Sequence, residues 1–583
     1  MKKNKAFQWQ LLITIVLTVA LIYFSNFINY RVDLTVEKRF SLTNATKQLL
    51  TNIDDVVKVQ VFLTGDLPAD YKKLSIATKD FLDELKTQSN NKIEVSFEKP
   101  WEELENDTLK AILADSLSKL GVVFERSEVI DNGNEKQTNQ LIVPSALVTY
   151  GNKIPIAIDL RSSRKVFKTY NVINELPQED VEATRNAAEA LLEYKFANAI
   201  DKLTRKSVPT VAYVIGNGQP IDRTVNDLGE SLRNEYNLGI FNLKQAYPDA
   251  EKINALLIVK PTLPFTDEDK LKLDQYIMQG GKIIWCIDQL HAELDSLMRT
   301  QGSYTAFSRN LNIDDLLFKY GVRINNDLLQ DLNCSKIPLV IGKNPDGSPL
   351  MQRIPFPYYP LLAARNNNPI SKNLDKVLPL FPSSIDTVQA IGIQKTILLA
   401  SDSNSRTLAS PAIVSVNSVQ SENDFATFQK AYLPVAVLLE GSFNSLFANR
   451  LTTIVTDSVQ KATGKAFAKM GIHPSKQIVI SDADIVTNSI SATQGPLAMG
   501  TLPFENYRFA NREFLLNSID YLVSNVGLFE SRNKDFVLRL LDKKKVEEQR
   551  TFWQIMNIIL PIISIIIVGL LLQWKRKATY ASK

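Results

Sequence analysis

The stretch VAYVIGNGQP at residues 211–220 decides the fold class of this chain. Five apolar residues, Val211 to Ile215, run straight into a turn built around Gly216 and Gly218. The pattern recurs in ALLIVK at residues 255–260 and in KIIWCI at residues 282–287. A strand that is apolar at every position is buried on both faces, which marks a parallel sheet covered by helices on either side. The connections agree. Val225 to Tyr236 reads as a helix leading to a short strand at Gly239–Leu243. Thr266-Asp267-Glu268-Asp269 caps a second helix, and Gly280-Gly281 ends it. The expectation is a doubly wound α/β domain over residues 209–530. Strands at Val388–Ala400, Leu433–Leu439 and Gln477–Ile480 and a helix at Arg512–Val523 complete it. Residues 330–372 are rich in Pro, Asn and Gly and read as part of a long insertion, about 300–375, rather than as a separate core.

Upstream, residues 29–165 predict a smaller α/β domain of the βαβ-plus-hairpin kind. Its strands are Val56–Leu63, Lys92–Phe97, Val122–Glu125, Leu141–Tyr150 and Lys153–Leu160, the last two joined by Gly151-Asn152. Its helices cover Tyr71–Lys86 and Trp101–Leu120. Residues 166–208 read as a helical linker, with the helix at Glu179–Leu203.

Two apolar segments lie at the extreme ends. Leu11 to Phe27 is barely long enough to span a bilayer, and Ile555 to Trp574 spans it comfortably without a charge. The first ends in bulky residues where a signal peptidase wants small ones, so it reads as an uncleaved anchor in residues 1–28. Lys2, Lys3 and Lys5 precede the first span, and Lys575, Arg576 and Lys577 follow the second. By the positive-inside rule both tails, the second at 575–583, are cytoplasmic and the bulk faces outward. Lys543, Lys544, Lys545 and Arg550, in a juxtamembrane helix expected at 531–554, argue the other way.

Hydrophobic residues at 45% and aromatics at 9% exclude a disordered chain. Seven of the 67 basic residues lie in the first and last ten positions, where no acid occurs. That leaves 60 basic against 63 acidic residues, so no nucleic-acid footprint is present. Of the two cysteines, Cys286 sits in an apolar run and reads as a small buried hydrophobe; pairing with Cys334 stays open.

Several motifs carry a resemblance. They are Asp33-Leu34-Thr35 with Glu37-Lys38-Arg39-Phe40-Ser41-Leu42, Phe62-Leu63-Thr64-Gly65-Asp66-Leu67-Pro68, and Asp315 to Ile324. Gly441-Ser442-Phe443, Ile480-Ser481-Asp482-Ala483-Asp484 and Asn511 to Asn517 follow in order. With them the chain resembles the ABC-transporter auxiliary family, and within it the GldG-type, gliding-motility-associated members. The resemblance implies a bacterial inner-membrane complex with an ABC ATPase subunit and a permease subunit. Homo-oligomer formation is a further expectation.

The sheet from Val211 onward looks like the class I glutamine amidotransferase type, in which a nucleophilic cysteine sits on a strained elbow after a central strand. Here Ala255–Lys260 is followed by Pro261-Thr262-Leu263-Pro264, which supplies no nucleophile. The two histidines, His291 and His473, suggest no pairing with a cysteine, so no catalytic residue is expected. No G-x-x-x-x-G-K-[ST] occurs, and any ATP is hydrolysed by a partner. Asn217, Gly218 and Gln219 occupy the strand end where open α/β sheets bind ligands. They are either a loop that contacts a small molecule or glycan, or residues that merely allow a tight turn. Asp288, Asp482 and Asp484 also follow strands. Three carboxylates can hold a hard cation, but strand-end aspartates more often form turns, so neither metal nor cofactor is expected. The leading reading is a non-enzymatic auxiliary subunit, and the alternative a membrane-anchored receptor. An anchored hydrolase lacks its nucleophile and base.

Overall fold

The computed structural model describes residues 41–101, 106–130, 137–162, 181–300, 302–343, 345, 347–419, 421–505, 507–524, 527, 531–532 and 543–580, with Ile13, Val16 and Leu17. These belong to two units, Met1–Asp535 and Phe536–Lys583.

The first unit opens with helix α1 (Asn44–Thr51), whose first turn is capped by the Thr43 hydroxyl, which accepts the Thr46 N–H. Strand β1 (Val57–Val61), helix α2 (Ala69–Gln88), strand β2 (Ile93–Phe97) and helix α3 (Asp107–Lys119) follow. Strands β3 (Ser145–Tyr150) and β4 (Ile156–Asp159) complete a sheet of order β2-β1-β3-β4. Its βαβ pair is parallel, and β3 runs antiparallel to β1. Val57, Val59 and Val61 point to one core while Lys58 and Gln60 do not. The stretch expected as one strand at 141–150 is broken, because Pro144 has no N–H to donate to a ladder. Gln137–Ile142 instead closes a separate hairpin with Glu125–Ile130.

Helix α4 (Val181–Thr204) lies where a linker was expected, and it is buried in two directions. Leu192, Phe196, Ile200 and Leu203 fill the core of the small sheet. Its other side is held by polar contacts: Asn198 Nδ2 donates to Asp520 (3.3 Å), and Lys202 Nζ lies 2.6 Å from Glu235 and 3.0 Å from Asp520. The helix thus packs on the small sheet through its apolar residues and on the large domain through polar ones.

The large sheet begins at β5 (Thr210–Ile215), helix α5 (Asn226–Glu235) and β6 (Asn237–Asn242). It continues through β7 (Ala255–Val259), α6 (Asp267–Met278) and β8 (Ile283–Cys286), with α7 (Asp314–Tyr320) beyond. The hairpin of β9 (Cys334–Lys343) and β10 (Pro349–Pro360) stands apart. The sheet resumes with β11 (Ala363–Ala364), β12 (Ile393–Ala400), β13 (Pro434–Gly441), helix α8 (Thr453–Thr463), β14 (Ser475–Ile480) and helix α9 (Asn511–Val523). Strand order is β11-β12-β13-β14-β8-β7-β5-β6. The five strands β6-β5-β7-β8-β14 are all parallel, an order that reverses direction between β5 and β7. The other three each pair antiparallel with the neighbouring strand.

Alternation along each apolar strand feeds two cores. Val211, Leu257, Ile284 and Cys286 pack under α5 and α9, while Val214, Ile258 and Trp285 pack under α6 and α7. Trp285 is fully buried, and its indole N–H donates to Gln477 Oε1 (2.9 Å) on the neighbouring strand. Burying such a side chain contributes about 2–3 kcal/mol once its polar atom is satisfied.

Around the insertion lies a further hydrophobic core, to which residues on both sides of 300–375 contribute. Phe356, Tyr358, Tyr359 and Phe381 form an aromatic cluster with centroids 5.0 to 5.9 Å apart, packed with Ile337, Leu328 and Val414. Its strands pair across long separations, Ser303–Ala306 with Ala412–Ser415 and Asp327–Asp331 with Ser405–Ala409. Composition hid this, because the aromatics are interleaved with prolines.

The second unit contains helix α10 (Lys543–Tyr580), in which Pro561 is internal. Within it Gln549–Ala578 is long and apolar enough to cross a membrane. Over the described residues the charged segment and the apolar one form one continuous helix. The N-terminal span expected at 11–27 lies outside the described residues, except for Ile13, Val16 and Leu17, which are helical and exposed.

Candidate functional site at the carboxyl ends of the parallel strands

All six residues singled out from the sequence lie at the carboxyl ends of β5, β8 and β14. They form two groups rather than one. At the end of β5, Gly216 (φ 120°) and Gly218 (φ 75°) take left-handed backbone that a side chain resists. A Cβ on Gly218 would also run into Thr262 Oγ1. Asn217, fully buried between them, turns its main-chain groups and its Nδ2 on the protein itself. Its N–H donates to Gln219 Oε1 (2.8 Å), and its Nδ2 donates to Pro264 O (3.3 Å) and Asp269 Oδ2 (3.2 Å). Its carbonyl accepts the N–H groups of Thr262 and Leu263, each at 3.0 Å. The crevice at the strand-order reversal is therefore stitched shut by the loop that follows β7. Burial opposes ionisation of Asp269, yet hydrogen bonds led by that from Lys244 keep its carboxyl below the usual range. Two buried atoms in this loop, Asn217 Oδ1 and Gln219 Nε2, have no hydrogen-bond partner.

The second group converges on a residue that sequence reasoning passed over. Lys260 ends the apolar run of β7 and sits at the elbow position with φ 48°, a strained conformation for a non-glycine residue. Its ammonium lies 2.7 Å from Asp484 Oδ1 and 3.5 Å from Asp288 Oδ2. Ligand oxygens of Asp288, Asp482 and Asp484 all lie within 4.8 Å of one another. Local structure positions each. Asp288 Oδ1 accepts the Ala483 N–H (2.7 Å), which ties β8 to the turn after β14. Asp482 Oδ1 caps that turn by accepting the Asp484 N–H (2.7 Å), and Asp484 also accepts the Thr487 hydroxyl (2.8 Å). Asp482 Oδ2 is buried without a partner. Arg309, 8% exposed, reaches within 4.0 Å of Asp288.

Electrostatics follow from this geometry. Burial opposes the charge of Lys260, but Asp484 and Asp288 outweigh it and hold the ammonium above its ordinary pKa. Burial, then the charges of Asp484 and Asp288, push Asp482 well above the carboxylate range. Asp288 is raised by burial against the pull of Lys260. Three carboxylates that close suit a hard cation, but here a lysine ammonium stands between two of them. A permanently charged lysine is neither a general base nor a nucleophile. Nor does Cys286 help: it is fully buried, burial raises its thiol pKa, and both cysteines are free.

A lysine closing an otherwise apolar strand, ALLIVK, was the visible signal for this cluster. No sequence signal pointed to Arg309, which is distant in the chain.

These features define a doubly wound α/β protein with no activated nucleophile at its elbow and an apolar helix fit for membrane association. Residues 208–518, more than half the chain, match the family described as an ABC-type uncharacterized transport system, and the chain belongs to that family. It is accordingly an auxiliary component of an ABC-type transport system. Residues 36–149 match a domain of unknown function, DUF7088. No curated protein matches the sequence. Among solved structures, the mmIFT52 N-terminal domain is similar at 11% identity and a TM-score of 0.29, over 54% of this chain and 98% of that one. The exo-beta-1,4-mannosidase Op5Man5 from Opitutaceae bacterium strain TAV5 is similar at 11% identity and a TM-score of 0.20, over 50% and 35%. Scores this low say nothing about function.

Proposed function

We propose that the chain is a non-enzymatic auxiliary subunit of an ABC-type transporter complex of the GldG kind, serving gliding motility or secretion. In this reading two spans hold it in the bacterial inner membrane, with both tails cytoplasmic and the bulk periplasmic. It acts by engaging the ATPase and permease subunits of the same complex. One observation carries the non-enzymatic part: the elbow position holds Lys260, ion-paired to Asp484 at 2.7 Å, instead of a free nucleophile. Purification of the full chain in mild detergent should bring down an ABC ATPase and a permease, and the chain alone should turn over neither ATP nor amides. Isolation without transporter subunits, or intrinsic turnover, overturns the reading. Replacing residues 555–574 by an unrelated apolar helix should weaken permease co-purification, because membrane helices associate by packing and polar contacts rather than by apolarity alone.

A second reading, a receptor for a small molecule or glycan, is favoured by the unpartnered Asn217 Oδ1 and Gln219 Nε2. Residues Asn217, Gly218, Gln219, Asp288, Asp482 and Asp484 would line its site. A ligand that co-purifies and is lost in Gln219→Ala would support it.

A further inference from the structure

The hairpin β9–β10 has two unlike halves. At its base Ile337, Phe356, Tyr358 and Tyr359 are buried in the aromatic core. Toward its tip Val340, Ile341, Leu350 and Met351 are 60%, 56%, 41% and 54% exposed. Val340 and Met351 are direct cross-strand partners, so their side chains form one apolar pair on one face of the ribbon. Lys336 shares the Val340 face by the two-residue period of the strand, and Lys343 follows Ile341 near the tip. Both lysines are exposed, and among the described residues neither has an ion pair or a side-chain hydrogen bond. By contrast Arg353, on the partner strand, is held by Glu505 at 3.1 Å.

The ribbon pairs with no other strand among the described residues. A protein partner that added a strand would need a continuous row of backbone donors. Pro338, Pro349, Pro355 and Pro357 interrupt that row on both strands, and two bulges bound the regular part of the pairing. What remains on offer is side-chain chemistry: aliphatic groups beside two free ammonium groups. That combination matches the boundary between acyl chains and anionic headgroups. The chain also carries its own membrane-length helix, Gln549–Ala578, which keeps a bilayer within tether of the rest.

We propose that the distal half of this hairpin, Val340, Ile341, Leu350 and Met351 with Lys336 and Lys343, is a lipid-contacting element that inserts shallowly into an anionic bilayer surface. Insertion is shallow because unpaired backbone groups are not tolerated in hydrocarbon. Lys336 and Lys343 stay at headgroup level and select anionic lipid.

The test uses the full chain in nanodiscs of phosphatidylcholine, with or without phosphatidylglycerol, and no partner subunits. An environment-sensitive fluorophore is placed at Ile341→Cys in a Cys334→Ser background, with a control label at the exposed Ile221→Cys. The expected result is a blue-shifted emission at position 341, quenched by lipids labelled near the headgroup, in discs with phosphatidylglycerol. The control stays in water. Lys336→Gln and Lys343→Gln should each weaken the anionic preference about fivefold, and Val340→Asp should abolish the shift with the melting temperature unchanged. A water-like signal in both disc types overturns the proposal. So does a shift that appears only when transporter subunits are added, which would make the tip a protein-docking site. A shift that grows with protein density in lipid-free detergent overturns it in favour of self-association.

Discussion

Two strand ends of one sheet, β5 and β7, solve the same problem by different chemistry. At the end of β5 the neutral side chain of Asn217 closes the crevice by donating to a carbonyl and a carboxylate, and its main-chain carbonyl accepts two backbone N–H groups. Its neighbour Lys260, at the end of β7, closes its own corner with a full charge between aspartates. The difference teaches that a position at the carboxyl end of a parallel strand is not in itself a binding site. What matters is whether its polar atoms are left over once the protein has satisfied its own. The neutral closure can be weakened group by group. The ionic one fails all at once, because removing the cation strands several carboxylates in a buried place.

The largest effect expected from this contrast belongs to Lys260→Met, which should cost about 3–5 kcal/mol in denaturant unfolding. Adding Asp484→Asn to that variant should restore part of the loss. If Ca²⁺ or Mg²⁺ instead raises the melting temperature of Lys260→Met markedly, the ammonium is a stand-in for a metal ion and the contrast breaks. Next comes Gly218→Ala at the neutral end. Left-handed backbone and the approach of Thr262 should together cost about 2–3 kcal/mol, and Asn217→Ala about 1–3 kcal/mol from its stranded partners. Losses below about 0.5 kcal/mol in both would mean the β5 loop is not stitched as described.

A pH dependence separates the two ends further. The carboxyl of Asp482 is raised in the folded chain by burial and by Asp484 and Asp288. Between its unfolded pKa of about 4 and its folded value, the native state therefore binds more protons, and stability from this group falls as pH rises. Asp482→Asn should flatten that slope in melting curves taken upward from about pH 4. A slope unchanged from wild type would locate the proton elsewhere. The smallest effect is expected for Cys334→Ser, within about 0.5 kcal/mol, with no change in melting temperature on adding a reductant. A reductant-sensitive transition would contradict the two free thiols.

Much of the architecture was readable in the chain. Uninterrupted apolar strands announced the parallel sheet, and the three later strands at 388–400, 433–439 and 477–480 do join it, as β12, β13 and β14. The apolar stretch at the C-terminus is a membrane-length helix. The aromatic core is not legible in the sequence, because it depends on Phe356, Tyr358, Tyr359 and Phe381 meeting in space, with residues from 290 to 509, although the sequence surroundings of Phe356, Tyr358 and Tyr359 are those of a loop. The helix expected at 179–203 is present as α4, and its packing is what the sequence did not show. α4 is buried on several sides, so its apolar residues do not make one clean stripe.

Periodicity, strand continuity and chain-end charge are local properties, and local properties carried the fold class, the C-terminal helix and the lack of a nucleophile after β7. The side-chain partners of Asn217 Nδ2 and Lys260 lie tens to hundreds of positions away in the chain. Only folding brings Asp288 and Asp484 to one ammonium, because their strands β8 and β14 are neighbours in the sheet but nearly two hundred residues apart in sequence. Which polar atoms end up satisfied, and which remain free for a partner, is set by that three-dimensional adjacency, and a one-dimensional pattern cannot encode it.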